Sequence, residues 1–167
     1  MGIEIERKFL VKGEGWREAP FTRFVQGYLN RDKQRTVRVR IEGHRAFLTV
    51  KGVSRGAVRA EYEYAIPLAD ARELLTLCEP PLIEKRRHVV AHLGSRWEVD
   101  EFVGYLAGLV LAEIELTAPD QPFERPDWLG EEVTGDPRYF NANLSLSPIP
   151  ADACQDLLPG NRRRCTS

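Results

Sequence analysis

The feature that most constrains this chain is a two-residue alternation that also sorts charge by sign. EIERKFLV, residues 4–11, sets Glu4, Glu6 and Lys8 in one register, with Ile5, Phe9 and Val11 in the other. Successive side chains of a β-strand point to opposite faces, so one face of such a strand is charged and the other is largely apolar. Later runs repeat the pattern. TVRVRIE aligns Arg38 with Arg40 against Val37, Val39 and Ile41; TVKG carries Lys51; AEYEYAI aligns Glu61 with Glu63. IEKRRHV aligns Lys85 with Arg87, and WEVDEF aligns Glu98 with Asp100 against Trp97 and Val99. AEIELT aligns Glu113 with Glu115 against Ala112, Ile114 and Leu116.

Like charges side by side repel, and a merely solvated sheet face usually mixes signs and dilutes them with neutral polar residues. Sorting by strand therefore calls for something of opposite charge between the pairs. Guanidinium and ammonium groups suit an oligophosphate, through charge-assisted hydrogen bonds and compact point charge. The carboxylate pairs suit hard divalent cations, which take oxygen ligands and bridge to phosphates. The plain alternative is an open antiparallel sheet whose charged face meets water.

Candidate strands fall at about 2–12, 22–31, 35–42, 44–53, 57–66, 82–93, 95–102 and 108–117. Eight strands can close into a barrel that removes exposed edges and encloses one small ligand. The expected fold is α+β and mainly antiparallel β. It is an eight-stranded closed barrel, or tunnel, with a polar charged interior and helices packed outside and at the carboxy-terminal end. The links NRDKQ, EGHR, VSRGA and LGSRW predict hairpins between sequential strands. PLADARELLTLCEPP spaces Leu68, Ala71, Leu74, Leu75 and Cys78 as a helix lying on a sheet face, with Pro80-Pro81 as its stop. Beyond Thr117, FERPDWLGEEV, DPRYFNANLSL and a weaker PADACQDLL predict short helical pieces; PGNRRRCTS, from Pro159, reads as a frayed tail. Trp16, Trp97 and Trp128 read as packing anchors, and His44, His88 and His92 as surface or strand residues without ligand spacing.

With 167 residues the chain can bury roughly two thirds of its unfolded surface in one core. One domain over residues 1–150 is expected, followed by a helix remnant and flexible tail over 151–167. The 24 basic and 25 acidic residues nearly cancel, so no nucleic-acid or membrane partner is expected. Three cysteines without CxxC spacing predict neither a disulfide framework nor a zinc site, which favours a reducing cytoplasm. No leader or bilayer-length apolar run of roughly 18 residues is apparent. Monomer and homodimer are both compatible with the sequence.

EIERK resembles the ExExK signature of CYTH domains, also called triphosphate tunnel metalloenzymes. The resemblance extends through QGYL at Tyr28, RVR at Arg38 and Arg40, TVKG at Lys51, EYE at Glu61 and Glu63, and EKRR at Lys85 and Arg87. It continues in EVD at Asp100, EIEL at Glu113 and Glu115, and EVTGDPRYFNANLS, the last resembling short bacterial members. It implies Glu4, Glu6, Glu113 and Glu115 as metal ligands, with Asp100, Glu61 and Glu63 completing the acidic side. It implies two Mg²⁺ or Mn²⁺ ions as cofactors. Lys8, Arg38, Arg40, Lys51, Lys85 and Arg87 would hold the phosphates, and the Tyr28 hydroxyl would contact phosphate or orient water.

The family's members include tripolyphosphatases, thiamine triphosphatases, class IV adenylyl cyclases and messenger-RNA capping triphosphatases, so fold alone leaves the reaction open. The short chain and its QGYL and TGDPRY segments point to metal-dependent hydrolysis of inorganic tripolyphosphate, a small-molecule substrate, to pyrophosphate and phosphate. In this reading Glu113 and Glu115 serve a metal that activates water, and Lys8 or Lys51 stabilises or protonates the leaving phosphate. An adenylyl cyclase making cyclic AMP from ATP, and a non-catalytic polyphosphate- or nucleotide-binding module, are the rival expectations.

Overall fold

A computed structural model of the chain describes residues 2–144, 146, 149–150 and 165–166. The alternating runs become β1 (Gly2–Val11), β2 (Phe21–Asn30), β3 (Arg35–Glu42), β4 (Arg45–Gly52), β5 (Val58–Ile66), β6 (Glu79–His92), β7 (Ser95–Phe102) and β8 (Val110–Glu115). These eight form a closed barrel in the order β1-β5-β4-β3-β2-β6-β7-β8, every pairing antiparallel. β1 completes the ring by splitting its length: residues 2–5 pair with β5 and residues 6–10 with β8.

Pairing is therefore not sequential throughout. β2 to β5 and β6 to β8 follow as hairpins, but α1 (Leu68–Leu77) carries the chain over the outside so that β6 lands beside β2. Two hairpins turn in two residues. Gly43, with φ +61°, leads the β3–β4 turn, while Leu93 and Gly94 both take positive φ between β6 and β7, the backbone twist that such short links require. Helix α1 buries Ala71 and Leu75, with Cys78 just beyond it, against Val39 and Ala46 on the outer face. It ends before Pro80-Pro81. Cys78 is already extended, and both prolines lie within β6, near its start, where missing amide donors are tolerated.

FERPDWLGEEV does not form a helix. Leu129–Glu132 is a short strand, β9, added beside the end of β1 and clipped there by Lys12 N to Trp128 O at 2.8 Å and Val133 N to Lys8 O at 2.8 Å. Gly130 permits this approach, since a β-carbon there would meet the Leu10 carbonyl oxygen at 2.9 Å. Among its described residues, DPRYFNANLSL is helical in a 3₁₀ turn, Pro137–Tyr139, and one short turn, α2 (Asn141–Leu144). Ile149–Pro150 and Cys165–Thr166 form a parallel two-residue ladder. The remaining parts of the third helical piece and of the tail lie outside the described residues.

Apolar burial lies on both sides of the barrel wall. Outside, Phe9, Trp16, Trp97, Val99, Ile114 and Trp128 pack together, so the three tryptophans are packing anchors. Inside, the charged register runs out at one end: Leu10, Tyr28, Ile83, Phe102 and Leu111 meet there and are capped by Tyr139 and Leu144.

Candidate active site inside the barrel

Antiparallel register stacks the inward side chains in layers. Asp100 faces Leu111 across β7–β8 and Arg87 across β6–β7; Glu98 faces Glu113; Lys8 and Glu6 of β1 face Glu113 and Glu115. Moving away from the apolar end, the paired side chains run from Lys85 and Phe102 through Arg87, Asp100 and Leu111 to Glu98, Glu113 and Lys8, and then to Glu115 and Glu6. On the opposite wall β3, β4 and β5 supply Arg38, Arg40, Lys51, Glu61 and Glu63.

The charged interior opens into two chambers. The first, about 410 Å³, is lined by Glu4, Glu6, Glu61, Glu63, Glu113 and Glu115, with Arg38, Arg40, Lys51 and Arg87. The second, about 340 Å³, shares Glu4, Glu6, Arg38 and Lys51 and adds Lys8 and Tyr28. Asn141 of α2 borders both. The fold thus gathers twelve of the anticipated residues around one connected space: Glu4, Glu6, Lys8, Tyr28, Arg38, Arg40, Lys51, Glu61, Glu63, Arg87, Glu113 and Glu115.

Two anticipated residues stand apart. Lys85 and Asp100 are each 1% exposed and line neither chamber. Their parity is inward, but their layer abuts the apolar end, where Phe24 and Phe102 flank the Lys85 ammonium at 5.8 and 5.5 Å. Lys85 Nζ donates to Asp100 Oδ2 at 2.7 Å, and Arg87 grips the same carboxylate with Nε to Oδ1 at 2.7 Å and Nη2 to Oδ2 at 2.8 Å. Arg87 also contacts Glu98 and reaches Glu113 at 3.4 Å. Burial pulls the Lys85 ammonium down to about 8 against the pull of Asp100, while its two cationic partners overcome burial and hold Asp100 well below the usual carboxylate range.

Within the first chamber Lys51 Nζ meets Glu4 at 2.9 and 3.0 Å and Glu61 at 3.2 Å. Burial opposes ionisation of Glu4, but Lys51, with help from Glu61 and Arg38, brings its carboxyl down to about 2. Arg40 pairs with Glu42 at 3.1 Å and Glu63 at 3.2 Å; burial and its neighbours Arg38 and Arg87 lower it to about 10. The Nε atoms of Arg38 and Arg40 are buried without a hydrogen-bond partner among the described residues. Lys8 Nζ donates to the Tyr139 carbonyl at 3.0 Å and stands 3.6 Å from Glu113.

The acidic side is uneven. Among the described residues Glu6 and Glu115 have no ion-pair partner. Burial, then Glu113 and Glu4, push the Glu6 carboxyl well above its ordinary value; burial, Glu4 and Glu98 raise Glu115. No three metal-binding side chains converge as a ready-made site among the described residues, because Glu4 is turned to Lys51 and Glu113 to Lys8 and Arg87. The donor set nevertheless fits a hard divalent ion. Two carboxylates lack cationic partners, mutual repulsion raises Glu6, and such an ion takes the rest of its shell from water and phosphate.

Several lining residues escape the parity reading. Phe24 places its ring 5.0 Å from the Arg40 guanidinium carbon and 4.8 Å from that of Arg87, steadying both. An apolar residue among charges gives no pattern signal. Arg59 lines the second chamber and shares parity with Glu61 and Glu63, so extending that strand's pattern by two residues would have found it. Asn141 has no such signal, since it arrives from outside the barrel.

Known proteins similar to this chain fall in one family. A family model described as the CYTH domain matches residues 2–143. A relative from Acetivibrio thermocellus named inorganic triphosphatase is 51% identical over 150 residues, covering 89% of this chain and 96% of its own. Another with the same name, from Nitrosomonas europaea, is 38% identical over 148 residues, covering 86% and 97%. A crystal structure described as an inorganic triphosphatase superposes with a TM-score of 0.64 at 37% identity, covering 86% of this chain and 95% of that one.

Proposed function

The chain belongs to the CYTH domain family, and from that premise we propose that it is a metal-dependent inorganic triphosphatase, hydrolysing tripolyphosphate to pyrophosphate and phosphate. The observation that carries this reading is the first chamber: Arg38, Arg40, Lys51 and Arg87 face Glu4, Glu6, Glu113 and Glu115 inside one closed barrel. A bare phosphate chain fits the cations, and the excess carboxylates have no use in a simple anion binder.

In this mechanism Arg38, Arg40 and Arg87, which line the first chamber, hold the phosphate oxygens by charge-assisted contacts. Glu4, Glu6, Glu113 and Glu115 would hold the divalent metal, Mg²⁺ or Mn²⁺, with Glu61 and Glu63 beside them; two ions fit so many oxygens. When bound, the metal supplies charge neutralisation and a more acidic water. Water oxygen bonds to the terminal phosphorus as the bridging P–O bond breaks, and pyrophosphate leaves with the bridging oxygen. Lys51 is held protonated: Glu4, Glu6 and Glu61 raise it although burial and Arg38 oppose them. It therefore acts as a fixed charge on the leaving group, with Lys8 as a second ammonium in the same wall. Tyr28 contributes its hydroxyl from the second chamber. Lys85 and Asp100 touch no substrate; Asp100 fixes the Arg87 fork, and Lys85 fixes Asp100.

The test is phosphate release from tripolyphosphate, ATP and pyrophosphate with Mg²⁺, with Mn²⁺ and with chelator, following cyclic AMP in the ATP samples. Metal-dependent release, fastest from tripolyphosphate, is expected. Cyclic AMP from ATP would replace this reading with a cyclase, and tight triphosphate binding without turnover under either metal would leave a binding module.

A further inference from the structure

The inner wall of β2 carries a polar side chain that belongs to neither chamber. Gln26 shares its inward register with Phe24 and Tyr28, is fully buried, and lines neither space. Neither its amide oxygen nor its amide nitrogen has a hydrogen-bond partner among the described residues. A buried amide in that condition costs stability that an apolar side chain of the same size would not, so it calls for a specific reason. Two more orphaned atoms lie in the same wall. Gln26 stands opposite Arg40 across the β2–β3 ladder, and Arg38 is the next inward residue of β3, opposite Tyr28. Glu42 at 3.1 Å and Glu63 at 3.2 Å both take Arg40 through Nη2, and Thr49 takes Arg38 through Nη2 at 3.4 Å. The Nε–H edge of each guanidinium is buried and without a partner among the described residues. β-Carbons directly opposite on an antiparallel pair are about 5 Å apart and diagonal ones about 7–8 Å, so one glutamine reaches both edges, with a single water spanning any gap. The count balances, since an amide oxygen offers two lone pairs to two N–H groups.

We propose that Gln26 is a positioning residue for this arginine pair: its amide oxygen takes the Nε–H groups of Arg40 and Arg38, directly or across one buried water, and so turns their Nη ends toward the first chamber. Gln26 itself touches no substrate. Its part in turnover rests on the hydrolytic reading, in which those arginines hold phosphate. A guanidinium fixed at Nε, and stacked by Phe24 in the case of Arg40, loses little freedom when it meets a phosphate; one left to swivel loses more.

The experiment is proton–nitrogen NMR of the arginine Nε–H groups in the full-length chain, with KM and kcat for tripolyphosphate measured on the same variants under saturating Mg²⁺. In the parent the Arg40 and Arg38 Nε–H signals should exchange slowly with water, and that of Arg40 should show a cross-peak to the Gln26 side-chain amide. Gln26→Met fills the same volume without the amide acceptor. Exchange should quicken about tenfold or more and KM should rise about tenfold, the loss of one well-aligned charge-assisted contact, while kcat stays within about twofold. Gln26→Glu keeps an acceptor oxygen and should restore slow exchange. A side chain that served packing alone would leave exchange and KM unmoved in Gln26→Met, and that result overturns the proposal. So does fast exchange of both signals in the parent, a measurement that needs no variant to fold. Quickened exchange with an unchanged KM overturns the positioning role as well. Slow exchange in a chain that releases no phosphate from tripolyphosphate would keep the Gln26 contact and remove only the hydrolytic reading.

Discussion

Two lysine–carboxylate pairs inside one barrel make opposite use of the same contact. Lys51 meets Glu4 at 2.9 Å in the wall of a water-accessible chamber, whereas Lys85 meets Asp100 at 2.7 Å in a layer sealed by Phe102 and the apolar end. Both come from strands that point their charges inward. Direction alone therefore does not make a ligand; depth along the strand decides whether a charge meets substrate or only another side chain. A sealed pair is costly to break, because removing one partner strands the other without water. A chamber pair keeps its charges within reach of water and ligand, so each partner can be answered by either when the other is lost.

The sharpest way to break this comparison is Asp100→Ala. It leaves Lys85 and Arg87 buried without their shared anion and should cost about 3–5 kcal/mol, read from denaturant unfolding. A loss below about 1 kcal/mol would mean that water reaches the pair and that the layer is not sealed. Next comes Lys51→Ala. Turnover of tripolyphosphate should fall about a hundredfold, and the Glu4 carboxyl, released from its ammonium, should titrate higher, so the acid loss of stability begins at higher pH than in the parent.

Metal titration followed by melting sharpens the comparison further. Ion at about a hundred times its dissociation constant should stabilise the parent by about 2.7 kcal/mol, and Glu6→Gln should lose most of that gain. The same variant carries a pH signature. Glu6 is raised in the fold, so the folded chain binds its proton more readily, and its ionisation is destabilising as pH rises from the ordinary 4.5 through the raised value. In chelator, Glu6→Gln should therefore melt higher than the parent at pH 8 but not near pH 4. Glu4 has the opposite sign: its stabilisation is present above 4.5 and is lost as pH falls toward about 2. Smallest of all, Tyr28→Phe removes one hydroxyl at the second chamber and should change turnover by about two- to fivefold.

The sequence made the barrel legible because charge and period agreed strand by strand, as at Arg38/Arg40 and Glu113/Glu115. Parity gave the inward face, and resemblance gave the roles. What parity cannot carry is depth, so Lys85 and Asp100 look no different from Arg87 and Glu98. Neither can it carry neighbours that are distant in sequence: β6 lies beside β2 because α1 crosses the outside, and hairpin links alone suggest otherwise. The four residues of β9 are too few to show a period, though Gly130 between Leu129 and Glu131 was a sign of close backbone approach. Asn141 and Phe24 reach the chambers by tertiary placement and by packing, neither of which leaves a charge pattern.

The division of β1 between two partners has a further consequence, in the order of synthesis. Residues that close the ring on β8, such as Glu6 against Glu115, are translated more than a hundred residues apart. At ribosomal rates of about 5–20 residues per second, β1 waits roughly 5–20 s before its partner exists. Until β5 and then β8 are made its edges are unpaired, and Glu4, Glu6 and Lys8 are charges of the kind that keep such edges from pairing with other chains. The residues that later face the ligand thus guard the nascent chain first.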